Sequence, residues 1–444
     1  MSSFWCESAW LGGLEAEAGV LLDVEGETIS SVQTGVAAAP PGAERLRGLV
    51  IPGLANAHSH AFQRALRGRT HRAQRGSFWT WREQMYALAS ALDPDAMRVL
   101  ARATFAEMAL AGVTVVGEFH YLHHADGGRR YSDPNAMGEA VLEAAREAGI
   151  RITLLDTCYL HGGIGVEPDP MQRRFCDPDA EAWVARVDTL TGGVHARVGA
   201  AIHSVRAVDP DGARAVASWA GANAAPLHAH VSEQPAENDA CRDAYGMTPM
   251  ALLAEAGAIS SRFTAVHATH VSAPDVALLG GAAAFCCLCP TTERDLADGI
   301  GPARRLRDAG ALLALGSDSN AMIEPLEEAR AVELDERLAT GIRGGHGGDE
   351  LLFAATAGGY ASVGWPEGGM IRAGALADLV AVRRDGVRLA GVADSEVVDA
   401  VVFAGAAADV ADVIVGGRFV VRDGCHESLD VARELDDALT AVLP

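Results

Sequence analysis

Residues 49–60 have the sequence LVIPGLANAHSH, in which a short apolar run is followed by a turn and then by two histidines. The same order, an apolar segment that ends in polar side chains, recurs along the chain. With Leu49–Ile51 as the first strand, seven further segments predict strands, at Val113–Phe119, Ile152–Leu155, Ala196–Ile202, Pro226–Val231, Phe263–His267, Ala283–Cys289 and Ala311–Leu315. Helical patterns lie between them, and this alternation predicts eight parallel βαβ units that close into a (β/α)8 barrel.

Both ends of the chain carry short strand patterns outside this barrel. They are Val20–Val24, Thr28–Val32, Leu379–Val382, Val397–Phe403, Val413–Val415 and Arg418–Val421. Chain termini commonly lie near each other, so we expect the two ends to form one small β-sandwich. The predicted fold class is α/β: a (β/α)8 TIM barrel over residues 51–369 and a composite β-sandwich domain over residues 1–50 and 370–444.

Composition narrows the possible functions. The chain of 444 residues has a formal net charge of −23, which argues against binding to nucleic acid or to an anionic membrane surface. The chain contains no lysine, so Schiff-base chemistry and a metal bridge through carbamylated lysine are both excluded. The N-terminus has no signal-peptide pattern, and no apolar run approaches the roughly 18 residues of a membrane helix. We therefore expect a cytoplasmic protein.

The eight cysteines fit the same compartment. Cys286, Cys287 and Cys289 form a cluster that could be a metal or redox site, but they lie in an apolar run that predicts a buried strand. Free cysteine behaves there as a small hydrophobic residue. We expect buried thiols in a reducing cytoplasm.

Polar residues at the ends of the predicted strands point to a metal site. In a barrel of parallel strands the active site lies at the carboxyl ends of the strands. His58 and His60 form a His-x-His pair, which places both imidazoles on one face of an extended segment. Further strand ends carry His120, His203, His228, His230, His267 and Asp318. Imidazole and carboxylate ligands from several strand ends predict a metal site, and nitrogen ligands suit zinc.

Glu233 follows His230 by three residues. Both side chains can reach one cavity, so His230 is a candidate ligand and Glu233 a candidate proton carrier. The alternative for Glu233 is a solvated loop carboxylate.

These motifs resemble the amidohydrolase superfamily, in its mononuclear deaminase branch, and the absence of lysine fits that branch. Longer runs resemble the formimidoylglutamate deiminases of histidine breakdown. They are NAHSHAFQRA (56–65), FWTWRE (78–83), EFHYLHH (118–124), HSVRAV (203–208), HVSEQ (230–234), VHATH (266–270) and CPTTE (289–293). The similarity covers about residues 50–340, and it implies a barrel of the amidohydrolase type.

The resemblance also implies a mechanism and an assembly. One zinc ion per subunit is held by His58, His60, His230 and Asp318, although iron or manganese also suits these ligands. Zinc hydroxide attacks the formimino carbon of N-formimino-L-glutamate, with His267, Asp318 and Glu233 as catalytic residues. The products are N-formyl-L-glutamate and ammonia. The residues implied to bind the dicarboxylate are Gln63, Arg82, Tyr121, His203 and Arg206. The family further implies a homodimer, in which Arg82 belongs either to its own site or to that of the neighbouring subunit.

Two departures and two alternatives stay open at this point. Members of the family often carry histidine where this chain has Asn320, and the helix Glu327–Leu338 is more acidic than expected. Both features leave the fit of the substrate on that side undecided. The nearest alternative is another mononuclear deaminase that acts on guanine, cytosine or a related ring. The alternative from a different class is an inactive barrel that serves as an assembly scaffold.

Overall fold

The two ends of the chain share one mixed sheet of eight strands. The computed structural model describes residues 2–70 and 78–443. The N-terminal strands are β1 (Ser2–Ala9), β2 (Glu17–Glu25), β3 (Thr28–Gln33) and β4 (Glu44–Pro52). The C-terminal strands are β13 (Leu379–Val382), β14 (Val410–Val415), β15 (Arg418–Arg422) and β16 (Cys425–His426). Their order is β16-β15-β14-β13-β4-β1-β2-β3. The predicted union of the two chain ends is therefore confirmed.

The central part of the chain forms the predicted barrel. Its eight parallel strands are β5 (Leu54–Ser59), β6 (Val113–His120), β7 (Arg151–Cys158), β8 (Ala196–Ile202), β9 (Leu227–Val231), β10 (Phe263–His267), β11 (Phe285–Leu288) and β12 (Leu312–Leu315). They follow one another in sequence order around the sheet. Small buried side chains such as Ala57, Val266 and Ala314 fill the interior. The α/β barrel fold class is confirmed.

The seam between the first and last barrel strands is closed by residues of the candidate site. The N–H of Asp318 donates to the carbonyl of His58 at 3.0 Å, and the N–H of His60 donates to the carbonyl of Asp318 at 2.9 Å. These bonds surround the parallel bridge between Ser59 and Asp318. Closure of the barrel therefore fixes the relative position of three predicted site residues.

Helices lie between the strands and after the last one, and several of them begin at a residue whose side chain caps them. They are α1 (Phe78–Ser90), α2 (Pro94–Leu110), α3 (Ala136–Ala148), α4 (Ala180–Val187), α5 (Pro210–Ala222), α6 (Pro235–Tyr245), α7 (Pro249–Glu255), α8 (Ala273–Gly281), α9 (Pro290–Asp295), α10 (Ala303–Asp308), α11 (Pro325–Thr340), α12 (Gly348–Phe353), α13 (Gly359–Ser362), α14 (Val397–Ala404) and α15 (Val431–Val442). Asp93, Asp209 and Thr248 each accept a backbone N–H in the first turn, with proline at the start of the helix. No helix of the described residues is long and apolar enough to cross a membrane.

The predicted first barrel strand was wrong. Leu49–Ile51 lies in β4 and pairs with β1 and β13 of the second sheet, whereas the barrel begins with β5. The two strands are separated only by Gly53, where an added Cβ would lie 2.0 Å from the Thr114 hydroxyl oxygen. Leu49–Ile51 and β5 are both buried, so apolar character alone could not tell which sheet each segment joins.

The predicted strand Val397–Phe403 was also wrong, because these residues form helix α14. Its buried valines are 397, 398, 401 and 402. This spacing places them on one face of a helix. The run is rich in β-branched residues, and tertiary packing of the helical face outweighs their local preference for strands.

Candidate metal centre and substrate cavity

Four side chains from distant parts of the chain converge at the carboxyl end of the barrel. His58 lies in β5, His230 in β9, His267 at the end of β10, and Asp318 three residues beyond β12. One ligand atom from each lies within 4.8 Å of the others, and all four side chains are buried. The four residues lie in or just after four different strands, so the topology of the barrel brings them together.

His60 adjoins this cluster and completes the predicted ligand set. Its Nε2 lies 3.3 Å from Oδ1 of Asp318, and the Nε2 of His58 lies 3.1 Å from the same oxygen. The Nε2 atoms of His58 and His230 are 3.1 Å apart. Three imidazole nitrogens and one carboxylate oxygen therefore face a common point.

The hydrogen bonds of the outer ring nitrogens make this cluster fit a cation. Nδ1 of His60 lies 2.8 Å from the carbonyl of Phe119, and Nδ1 of His230 lies 2.9 Å from the carbonyl of His203. A carbonyl oxygen only accepts, so each Nδ1 carries the proton and each Nε2 offers its lone pair to the cluster. Convergent lone pairs beside a carboxylate repel one another unless a cation lies between them. The donor set suits a divalent ion such as zinc.

Protonation states at the cluster agree with metal binding. Burial lowers the pKa of His58 to about 3 and lowers those of His60 and His230 as well. Burial opposes ionisation of Asp318, but the hydrogen bond with His58 and the neighbouring imidazoles hold its pKa below the usual value. Neutral imidazoles and an ionised carboxylate are the forms that coordinate metals.

Glu233 stands next to the cluster, on the side of His267. Nε2 of His267 lies 3.9 Å from Oδ2 of Asp318 and 3.9 Å from Oε1 of Glu233. The backbone is left-handed at His267 (φ +67°) and at Asp318 (φ +46°). Non-glycine residues adopt this conformation at a cost, and such positions concentrate at functional sites.

A cavity of about 360 Å³ opens over the cluster. Its lining includes His60, His230, His267, Asp318 and Glu233. It also includes all five residues predicted to bind substrate, namely Gln63, Arg82, Tyr121, His203 and Arg206. Among the predicted site residues only His58, which is fully buried, does not face this cavity.

Arg206 lies between two carboxylates of the cavity wall. Its Nη2 donates to Oε2 of Glu233 at 3.3 Å, and its Nε is 3.6 Å from Oε2 of Glu237. Burial disfavours the charge of the guanidinium, but Glu237 and Glu233 together raise its pKa, so Arg206 is a cation. The predicted carboxylate-binding arginine is thus in contact with the predicted proton carrier.

Gln63 and Tyr121 form a hydrogen-bonded pair in the cavity lining. Nε2 of Gln63 donates to the Tyr121 hydroxyl at 2.8 Å, while Oε1 of Gln63 is buried without a hydrogen-bond partner in the described part of the chain. His203 packs against Tyr159 with a ring separation of 4.4 Å, and the Arg82 guanidinium lies 5.4 Å from the Tyr86 ring. This wall is therefore aromatic as well as polar.

Two buried glutamates that contact site residues had no predicted role. Glu237 accepts the N–H of Ser232 at 3.0 Å and faces Arg206. Glu293 lies 3.3 Å from Nδ1 of His267. Two features of the sequence could have indicated these roles. Glu237 lies four residues after Glu233, and Glu293 is part of the CPTTE run.

The two departures from the family pattern lie outside the cavity lining. Asn320 is fully buried, and its Nδ2 donates to the carbonyl of His60 at 3.0 Å and to the Ser59 hydroxyl at 3.2 Å. In the acidic helix α11, Glu328 accepts from the N–H of Thr291 at 3.0 Å. Neither residue faces the cavity. The side of the site that the sequence left undecided is thus occupied by structural hydrogen bonds.

Comparison with known proteins gives consistent matches over the whole barrel. The sequence model of the Amidohydrolase family matches residues 49–420. Formimidoylglutamate deiminase of Pseudomonas aeruginosa is 39% identical over 398 residues, which are 87% of each chain. 8-Oxoguanine deaminase of the same organism is 29% identical and covers 95% of this chain and 93% of its own. The crystal structure of an amidohydrolase from Brucella melitensis superposes with a TM-score of 0.93 at 35% identity, over 100% of both chains.

Proposed function

This chain belongs to the amidohydrolase family and is a hydrolase of C–N bonds, and we propose that it converts N-formimino-L-glutamate and water into N-formyl-L-glutamate and ammonia. One observation carries the proposal. A single cavity is lined by residues of the candidate metal cluster, by Glu233 and by the two arginines Arg82 and Arg206. A cationic amidine suits the first group, and a dicarboxylate suits the second.

We assign one zinc ion to His58, His60, His230 and Asp318. A bound zinc ion lowers the pKa of a coordinated water to about 7 and so supplies a nucleophile at neutral pH. His267 orients the attacking water through Nε2, which faces both Asp318 and Glu233 at 3.9 Å. Asp318 would serve twice, as a ligand of the ion and as a proton acceptor.

The proton steps use the two carboxylates next to His267. Asp318 accepts a proton from the attacking water, and Glu233 donates a proton to the terminal nitrogen of the formimino group. The water oxygen forms a bond to the formimino carbon, and the bond from that carbon to the terminal nitrogen breaks. Ammonia leaves as the hydroxyl proton on the bound oxygen passes to Glu233, and the carbon retains the oxygen as a formyl group. The proton held by Asp318 departs with ammonia as ammonium, so both carboxyl groups return to their starting states.

Substrate recognition is assigned to the cavity wall. Arg206 and Arg82 bind the carboxylates, and Gln63, Tyr121 and His203 fix the orientation of the glutamyl chain. The contact between Arg206 and Glu233 (3.3 Å) links recognition of a carboxylate with the group that moves the proton. A substrate carboxylate on Arg206 therefore lies close to the reacting amidine.

A specific observation favours a second candidate, hydrolysis of an aminated ring such as guanine. The cavity lining contains the aromatic side chains Trp81, Tyr86, Tyr121, Tyr159 and Phe175. Flat rings stack on such surfaces. A curated relative, 8-oxoguanine deaminase, acts on a ring of this kind and is 29% identical to this chain.

Ammonia release by the zinc-loaded protein decides between these substrates. N-formimino-L-glutamate, N-formimino-L-aspartate, guanine and cytosine are assayed in parallel, with Glu233→Gln as the control for contaminating activity. We expect turnover of N-formimino-L-glutamate that the variant loses. Turnover of a base with no turnover of N-formimino-L-glutamate would refute the assignment and favour the ring deaminase.

The metal, the pathway and the assembly are further parts of the proposal. We propose zinc over iron or manganese, a role in histidine breakdown, and a homodimer in the cytoplasm. Metal analysis of the purified protein and light scattering after size-exclusion chromatography test the first and third directly. A monomer would contradict the proposed assembly without affecting the chemistry of the site.

A further inference from the structure

The two ring nitrogens of His267 face different groups. Nε2 faces the reaction space between Asp318 and Glu233, at 3.9 Å from each carboxylate. Nδ1 points the other way and lies 3.3 Å from Oε1 of Glu293. The imidazole is 1% exposed, so its orientation depends on these buried neighbours.

Glu293 is itself fixed to the backbone. The same Oε1 accepts the N–H of Cys289 at 2.9 Å, at the point where β11 ends and α9 begins. The side chain is buried. The carboxylate oxygen that contacts His267 is therefore held by the barrel strand next to the one that carries His267.

The local backbone gives a reason why His267 needs such support. His267 and Ala268 both have positive φ, at +67° and +50°. A left-handed conformation is unfavourable for a residue other than glycine and persists only where surrounding contacts fix it. The strand ends at this strained pair, so regular strand geometry does not determine the direction of the imidazole.

We infer that Glu293 is a positioning residue for the hydrolysis, an inference that rests on the proposed function. Its carboxylate accepts the Nδ1 proton of His267 and fixes both the ring plane and the proton on Nδ1. Nε2 is then presented to the attacking water in one orientation. Carboxylates that hold a site histidine in this way set its tautomer and direction.

A spectroscopic signature tests the contact without substrate. In zinc-loaded protein labelled with ¹⁵N-histidine, the Nδ1–H proton of His267 gives a hydrogen-bonded signal, which is assigned by its absence in His267→Asn. We expect Glu293→Ala to lose this signal and Glu293→Gln to keep it. The glutamine Oε1 can still accept from both His267 and Cys289.

Kinetics test the consequence for catalysis. We expect Glu293→Ala to lower kcat by about 10- to 100-fold with KM within about two-fold of the wild-type value. Glu293→Gln should restore most of kcat. The matched control is Glu328→Ala. Glu328 is also a buried glutamate, and it accepts a hydrogen bond from Thr291, which lies two residues before Glu293. Glu328 does not line the cavity.

Three results would overturn the inference. They are a His267 signal that survives in Glu293→Ala, a kcat of that variant within about two-fold of wild type, and an equal loss of kcat in Glu328→Ala. If Glu293→Ala fails to fold, the isosteric Glu293→Gln must still keep the signal. Inactivity of the wild-type protein on N-formimino-L-glutamate would refute the proposed function alone, because the spectrum does not depend on the substrate.

Discussion

Replacing Asn320 with alanine tests whether this residue serves the barrel seam or the substrate. The amide side chain is fully buried between the two strands that close the barrel. It donates to the His60 carbonyl at 3.0 Å and to the Ser59 hydroxyl at 3.2 Å, and it accepts from the Ser317 hydroxyl at 2.6 Å. Alanine removes all three hydrogen bonds and leaves the partners buried.

The expected loss of stability follows from these contacts. Each buried hydrogen bond contributes about 1 kcal/mol net, so three give about 3 kcal/mol. Asn320 also has φ +55°, a conformation that asparagine tolerates better than alanine, which adds about 1 kcal/mol. The His60 carbonyl keeps one partner, the N–H of Gln63 at 3.0 Å, which limits the loss on that side. We expect the free energy of unfolding to fall by about 3–4 kcal/mol.

Urea unfolding of metal-free protein, followed by circular dichroism, measures this loss. Asn223→Ala is the control, because Asn223 is exposed and, among the described residues, its side chain bonds only to the carbonyl of Trp219 at the end of its own helix. That variant should change the free energy of unfolding by less than about 0.5 kcal/mol. A loss below about 1 kcal/mol for Asn320→Ala, together with a raised KM, would show that the side chain serves the substrate and would refute the seam assignment.

Three further predictions concern the metal, the wall and stability. Removal of the metal with a chelator should lower the melting temperature in calorimetry. Zinc at 1,000 times its Kd should then raise the free energy of unfolding by about 4 kcal/mol. A protein that responds to neither treatment would contradict the metal site. Arg206→Ala should lower kcat/KM for N-formimino-L-glutamate by about 100-fold and should lower kcat/KM for guanine by less. Equal losses on the two substrates would argue against carboxylate binding by Arg206. Burial raises the pKa of Glu328 to about 8. The folded protein therefore keeps a proton that the unfolded chain releases above about pH 4.5, and the stability from this group falls as pH rises from about 5 to 8. Glu328→Gln can keep the bonds to the N–H and the hydroxyl of Thr291. In urea unfolding this variant should gain stability relative to wild type as pH rises over this range, and a stability difference independent of pH would exclude the effect.

The barrel and the residues at its strand ends could be predicted because both depend on local patterns. An apolar run followed by histidine or aspartate predicts a strand and a polar residue at its carboxyl end. His58, His230, His267 and Asp318 meet because parallel strands bring all such ends to one rim. The order of the strands and the residue at the end of each strand are enough for this prediction, without any distance between side-chain atoms.

The remaining features depend on packing that no local pattern encodes. Leu49–Ile51 and β5 are both buried, and they join different sheets. Pairing with strands distant in sequence decides which sheet each one joins. Glu237 reaches Arg206 from the first turn of α6, and Glu293 reaches His267 from α9. Their roles follow from the rotation of short helices against the barrel. The sequence supplied these residues but did not indicate which neighbours they contact.

Formal charge on the cavity wall connects the site with its proposed substrate. The lining includes the carboxyl groups of Asp318 and Glu233 and the guanidiniums of Arg82 and Arg206. N-formimino-L-glutamate has a cationic amidine for the carboxyl groups and two carboxylates for the arginines. A neutral ring supplies no carboxylate to either arginine in this largely buried cavity, which is unfavourable. The two arginines therefore favour the linear dicarboxylate over a base.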